Sequence, residues 1–271
     1  MNLDHIHHFG DGGRWNGALD LDGTVQWFNL IDGAPLASQA NRLTGTVWPR
    51  LAGSDLIDPI LRQAEAHGLR VGFLGGSPET QIALQESFAA KRPALAVSGW
   101  WAPERSVLSN PEASRSLAEE IAAAETDILV VGLGKPRQEL WIAQHGSLTG
   151  AKVLLAFGAV VDFLAGRVRR APEWLTSRGL EWAWRLSLEP QRLGKRYLLD
   201  GPPAYLRVRR SRPVLAAMAA QPPSPVVAVL DAATPTPGRF SPVDEPADVV
   251  ALVVTYNNAA DIDPLLVSLR E

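Results

Sequence analysis

Residues 127–158, DILVVGLGKPRQELWIAQHGSLTGAKVLLAFG, decide the fold. An apolar run ends in a glycine-rich turn, a short helix with apolar residues at helical spacing follows, and a second apolar run closes the unit. Strand, helix, strand in this order is the parallel crossover unit. The pattern extends towards the N-terminus. The stretch DLIDPILRQAEAHG reads as a helix with Ser54 as N-cap and Gly68 as terminator. LRVGFLGG is a strand ending at two glycines, a helix follows from Pro78, PALAVSGWW is another strand, and Asn110–Pro111 open the helix EASRSLAEEIAAAE. Strands alternating with helices of this length predict an α/β fold: a Rossmann-like parallel sheet with flanking helices. The first thirty residues are rich in turn formers and read as a hairpin or irregular chain.

Beyond Ala171 the chain turns helical, aromatic and basic. Between Arg167 and Arg212 stand eleven arginines and one lysine against four acids, a balance of +8 in a chain whose total is −3, so the rest carries −11. Trp174, Trp182, Trp184 and Tyr197 lie among Arg178, Arg185, Arg192 and Arg196. Tryptophan with arginine suits an anionic lipid surface, and arginine clusters bind diphosphate; a helix with a solvated face and its tryptophans on the core has the same composition. We expect a C-terminal basic helical appendage. The acidic remainder argues against a nucleic-acid partner.

Eight prolines fall between 213 and 246, a composition that builds no core. The expected organisation is a catalytic domain over 1–206, a Pro/Ala-rich linker over 207–246 and a short third piece over 247–271, which opens with the apolar run DVVALVVTYNN. The chain has no cysteine, so thiolate zinc sites, disulfides and a cysteine nucleophile are excluded. The N-terminus has no signal-peptide pattern and no stretch reaches the roughly 20 apolar residues of a membrane span. These features lead us to expect a cytoplasmic location with peripheral membrane contact.

Two strand-to-helix junctions carry glycine: Gly75-Gly76-Ser77 and Gly132-Leu133-Gly134-Lys135-Pro136. Ligands of such sheets bind at the carboxyl ends of strands, where free amides at a helix start attract phosphate. Either junction alone reads equally well as an ordinary tight turn; two in one sheet favour an anionic ligand, most simply a nucleotide diphosphate. The dinucleotide fingerprint fails, because Arg137 occupies the third glycine position. An NAD-dependent oxidoreductase is therefore the weaker alternative.

Other candidates carry less by themselves. Asp32-Gly33 is a common turn pair, and its carboxylate also suits a general base. Gln138 suits a sugar or uracil contact, and Glu139 also favours a helix N-terminus electrostatically. Asp162 is an acid in an apolar run and needs a partner, whether a neighbouring helix or a ligand. His5, His7 and His8 lie in a loose N-terminus with no partner carboxylate at a recognisable spacing, and no metal site is read.

Several ordered pieces resemble the WecG/TagA/CpsF family, glycosyltransferase family 26. They are Gly-Leu-Gly-x-Pro-x-Gln-Glu-x-Trp from Gly132 to Trp141, Val161-Asp162-Phe163-Leu164-Ala165-Gly166, Arg170-Ala171-Pro172-x-Trp174, Gly179-Leu180-Glu181-Trp182 and Glu189-Pro190-x-Arg192-Leu193. Upstream, Asp32-Gly33 and Ala52-Gly53-Ser54-Asp55-Leu56 fit as well, so the likeness covers about residues 28–206. The resemblance implies inverting, metal-independent transfer of an N-acetylmannosamine-type sugar from a UDP-sugar donor to a polyprenyl-diphosphate-linked acceptor, with no cofactor. It implies Asp32 as base and Gln138 as active-site glutamine. It implies Arg185, Arg192 and Arg196 at the lipid diphosphate, while the reading of the glycine turns and their neighbours puts Gly75, Gly76, Ser77, Gly132, Gly134, Lys135, Pro136, Glu139 and Asp162 around the donor. The family's earlier strand, ending in Thr-Leu-Asn or similar, is not read in residues 1–27, so a shortened, catalytically degenerate sugar-nucleotide-binding domain is a second expectation. The segment VVALVVTYNNAADIDPLLVSLRE is similar to the first strand and helix of family 2 glycosyltransferases.

Overall fold

A computed structural model describes residues 2–10, 12–19, 25–45, 47–167, 172, 175, 181–210 and 249–251. Its centre is four adjacent parallel strands: β2 (Val71–Gly75), β3 (Val97–Trp101), β4 (Ile128–Gly132) and β5 (Val153–Leu155). The short strands β1 (Val25–Trp27) and β6 (Val249–Ala251) extend it, giving the order β1-β6-β5-β4-β2-β3, all parallel. The expected α/β class and sheet are therefore present. The chain steps from β2 outward to β3, returns to β4 on the other side, and continues to β5. The order thus reverses between β2 and β4, the place where open α/β sheets bind ligands.

The core follows from strand alternation. In β4, Ile128 and Val130 face one apolar layer and Leu129 and Val131 the other, all four fully buried. Each such side chain contributes about 1.5–3 kcal/mol by leaving water. One layer packs β2 and β4 on Ile57, Ile60 and Leu61 of α3 (Gly53–His67) and on Leu84 and Phe88 of α4 (Pro78–Lys91). The opposite layer packs Leu117 and Ile121 of α6 (Pro111–Ala123) and Ile142 of α7 (Arg137–His145). Ser77 and Asn110 cap α4 and α6, their side chains accepting from Thr80 N–H and from Glu112 and Ala113 N–H. α3 starts earlier than expected. Ala52 is its N-cap without a side-chain bond, and Ser54 lies in the first turn; Gly68 ends it in the left-handed region as read.

The N-terminus differs from the expectation. Residues 3–9 form α1 (Leu3–Phe9), capped by Asn2, and β1 is a parallel strand rather than half of a hairpin. Asp32-Gly33 joins β1 to α2 (Ala34–Thr44), with Gly33 as N-cap. The remaining short helices are α5 (Arg105–Ser109) and α8 (Val160–Leu164).

The appendage comprises α9 (Glu181–Leu188), α10 (Pro190–Gly194), a π-helical turn over Lys195–Asp200 and α11 (Gly201–Arg210). It returns to the N-terminal elements: Arg207 Nη1 donates to Ile6 O of α1 (3.3 Å), and Arg42 Nη2 of α2 donates to Arg209 O (3.2 Å). Of the expected third piece, Val249–Ala251 pairs with β1 and β5 of this same sheet; of the expected linker over 207–246, residues 207–210 belong to α11, and residues 211–248 and 252–271 lie outside the described residues.

Candidate active site

A cleft of about 530 Å³ opens over the carboxyl ends of β4 and β5. Five parts of the chain build its walls: Asn2, His5 and His8 of the first helix, Asp32 after β1, Ala52–Ser54 at the start of α3, the Gly132–Lys135 turn, and Phe157–Asp162 after β5. Leu193, Lys195 and Asp200 of the appendage close one side.

Asp32 is held by the chain around it. Leu51 N–H donates to Ile31 O (2.7 Å), fixing the loop after β1. Asn2 Nδ2 donates to Asp32 Oδ2 (3.2 Å), and Arg50 Nη1 lies 3.8 Å from Asp32 Oδ1. Gly33 makes this approach feasible, since a Cβ there would sit 3.2 Å from Asn2 Cβ. The Asp-Gly pair thus serves a strand-to-helix junction that presents a half-buried carboxylate to the cleft.

Beneath the cleft lies a buried polar pair. Gln138 is fully buried; its Nε2 donates to Ala156 O (2.9 Å) and to Glu139 Oε1 (2.8 Å). Glu139 Oε1 also meets His5 Nε2 at 3.0 Å, while Gln138 Oε1 and Glu139 Oε2 have no hydrogen-bond partner among the described residues. Asn2 N–H donates to His5 Nδ1 (3.2 Å), so that nitrogen is the acceptor and the ring proton sits on Nε2, donating to Glu139. Burial, reinforced by the Lys135 charge, lowers the His5 pKa well below its usual value. Burial raises that of Glu139, with Lys135 opposing. The His5–Glu139 contact has ion-pair distance, but a desolvated imidazole favours its neutral form, and we read a hydrogen bond.

The structure gathers Asp32, Gly132, Gly134, Lys135 and Asp162 on the cleft, and sets Gln138 and Glu139 under it. The Lys135–Pro136 peptide is cis, with Pro136 at the N-cap position of α7. Gly75, Gly76 and Ser77 do not line the cleft. Gly75 pairs directly with Gly132 across the sheet, and Val161 of α8 packs against both junctions. Arg185, Arg192 and Arg196 fall on appendage helices, and their side chains lie outside the described residues, as do Arg178 and Trp174.

Two contributors escaped the sequence reading. Asn2 and His5 sit in a helix that had read as loose chain, and the carboxylate partner of His5 is 134 residues away. An Asn N-cap with Asp4 in the first turn was the available signal. Among the described residues no three His, Asp or Glu side chains cluster as metal ligands, and no helix is long and apolar enough to cross a membrane.

Comparison with known proteins adds identity to this geometry. A sequence model of the glycosyl transferase WecG/TagA/CpsF family matches residues 16–216. A Bacillus subtilis protein named N-acetylglucosaminyldiphosphoundecaprenol N-acetyl-beta-D-mannosaminyltransferase is 27% identical over 168 residues, 61% of this chain and 62% of its own. The Bacillus spizizenii protein of the same name is 28% identical over 165 residues, with the same shares covered. The chain thus spans about 62% of the length of these relatives.

Proposed function

We propose that this chain, which belongs to the WecG/TagA/CpsF family of glycosyl transferases, moves an N-acetylmannosamine-type sugar from a UDP-sugar to a polyprenyl-diphosphate-linked sugar acceptor in cell-envelope polysaccharide synthesis. The observation that carries this reading is the cleft itself. It brings to one lining a carboxylate, Asp32, a glycine turn with a lysine at a strand's carboxyl end, and Lys195 of the basic appendage.

The reaction on this reading is a single displacement. The acceptor hydroxyl oxygen attacks the anomeric carbon from the face opposite the diphosphate. The bond from that carbon to the diphosphate oxygen breaks, and UDP leaves with the electron pair. Asp32 takes the hydroxyl proton, with Asn2 orienting its other oxygen edge. The leaving diphosphate is met by the Gly132–Lys135 turn and the Lys135 ammonium, without a metal ion. Gln138 and Glu139 support the floor. Arg185, Arg192 and Arg196 are assigned to the lipid diphosphate.

The appendage is also suited to a membrane surface at the inner face of the plasma membrane. Leu198 and Leu199 are 60% and 67% exposed, Trp182 and Leu206 are exposed as well, and α11 ends in Arg207, Arg209 and Arg210. Apolar side chains flanked by arginine suit an interface with anionic lipid.

Asp32→Asn tests the assignment. Turnover with UDP-N-acetylmannosamine and a lipid-diphosphate GlcNAc acceptor is expected to fall by about 10²–10⁴-fold, the scale of a single general base. Unchanged turnover overturns the role of Asp32. Titration of the wild type with UDP, the UDP-sugar and NAD separates the alternatives: UDP binding without turnover marks a degenerate binding domain, and NAD binding without UDP binding marks an oxidoreductase.

A further inference from the structure

The first helix begins with a capping box of an uncommon kind. Asn2 Oδ1 accepts from Asp4 N–H at 3.2 Å, and the reciprocal bond from Asn2 N–H ends on a histidine ring rather than on the usual Glu or Gln. The histidine's second nitrogen then leaves the helix and reaches Glu139 at 3.0 Å. α1 has no fully buried residue of its own, and seven residues are too few for a stable isolated helix. Its position therefore depends on such tertiary bonds. From the same cap, Asn2 Nδ2 runs to Asp32.

We infer that His5 is a positioning residue of the transfer site: through Nδ1 it closes the cap of α1, through Nε2 it fastens that helix to the Gln138–Glu139 floor, and so it holds the Asn2 amide on the Asp32 carboxylate. This rests on the transferase reading above. His5 touches no reacting atom in that reading; it acts through Asn2. Both functions of the ring require a single protonation state. A proton added at Nδ1 would face the Asn2 N–H, and the cap bond would be lost.

The charged and titratable groups facing the ring come from every element packed around it. Asp4 lies on its own helix, Lys135 on the β4–α7 turn, Glu139 in the first turn of α7 and Asp32 on the loop after β1; His8 of the same helix acts on Glu139, and Asp200 of the appendage acts on His8. His5 is lowered below 6.5 chiefly by burial. The sign follows: the unfolded chain binds this proton more readily, so the docking of α1 is fully present above 6.5 and is lost as pH falls through the lowered folded value.

Two variants of the full chain test the inference. His5→Leu removes both ring bonds. His5→Gln keeps them without titrating, because an amide oxygen accepts from Asn2 N–H while its nitrogen donates to Glu139. His5→Leu is expected to lower kcat roughly ten- to a hundredfold, the scale of misalignment by about an ångström, with donor KM little changed. His5→Gln is expected to restore most of the turnover and to lack the acid limb that His5 protonation is expected to give the wild type below 6.5. Wild-type turnover in the Leu variant overturns the inference. So does a Gln variant that loses as much activity as Leu, in step with its melting temperature and with the wild-type pH profile unchanged. If the Leu variant does not fold, the Gln pH profile alone decides. A wild type without turnover defeats the transferase reading, and the inference with it; an active wild type with an indifferent His5 defeats only the inference.

Discussion

Gly75-Gly76-Ser77 and Gly132-Leu133-Gly134 end neighbouring strands whose last residues are paired, and in the sequence they look alike. Their surroundings differ. A Cβ on Gly75 would lie 2.4 Å from the Gly132 carbonyl oxygen, and one on Gly76 would lie 3.2 Å from Val161 Cγ1. Arg167 Nη1 donates to Thr80 Oγ1 (3.2 Å) beside the Ser77 cap. The space beside both glycines of the first junction is thus filled by the protein, as it is beside Gly132, where a Cβ would lie 2.6 Å from Val161 Cγ2. Around Gly134 nothing approaches within 4 Å of a built Cβ, and the turn opens on the cleft. Glycine at a strand end admits either a ligand or another piece of backbone, and only the tertiary neighbours decide which.

An alanine at each site tests this difference most directly. Gly75 has φ +115°, and its Cβ would meet backbone, which cannot yield as a side-chain tip can. Strain and overpacking together cost roughly 3 kcal/mol or more. Gly75→Ala is therefore expected to lower Tm on the order of 10 °C in a thermal melt. A melt close to wild type would show that the junction is looser than described. Gly134→Ala is expected to do the reverse. Its φ of +75° costs an alanine roughly 1 kcal/mol, a small change in Tm. Its methyl group, however, would stand where the diphosphate meets the turn. UDP affinity by calorimetry is expected to drop roughly tenfold, the equivalent of about 1.4 kcal/mol. Equal loss of UDP binding in both alanine variants would place the donor across both junctions.

Much of the fold was legible. β2 and β4 stood out as apolar runs closed by glycine, and the starts of α4 and α6 showed in Pro78 and in Asn110–Pro111. Their periodicity and punctuation are local, so the sequence displays them. α1 and β1 were not legible, for a physical reason. One is seven residues and the other three, and neither has a strong apolar period. They are held by partners far along the chain: Glu139 and Arg207 for α1, β6 for β1. The same holds at the site. Asp32 and the Gly132–Lys135 turn were readable as candidates. The role of Gly75 was not, because the carbonyl that crowds it belongs to Gly132, and Val161, which packs on both junctions, is some 85 residues further on in the chain. The basic appendage was visible as composition, whereas its π-helical turn, which brings Lys195 and Asp200 to the cleft, had no sequence signal.

Arg167 is exposed, and its guanidinium bonds Thr80 Oγ1 and, at 3.5 Å, Ser77 Oγ. If the first junction were part of the donor site, removing this cation would weaken UDP binding by the several-fold expected of a lost phosphate contact. If that junction is packing, as the Gly75 and Val161 contacts indicate, Arg167→Ala removes only exposed hydrogen bonds, worth a few tenths of a kcal/mol to about 1 kcal/mol in stability. UDP affinity should then match wild type within error while Tm falls by a few degrees at most. The competing outcome, unchanged Tm with weakened UDP binding, would move the donor diphosphate from the Gly134 turn towards Ser77, and the cleft as drawn would then hold the acceptor.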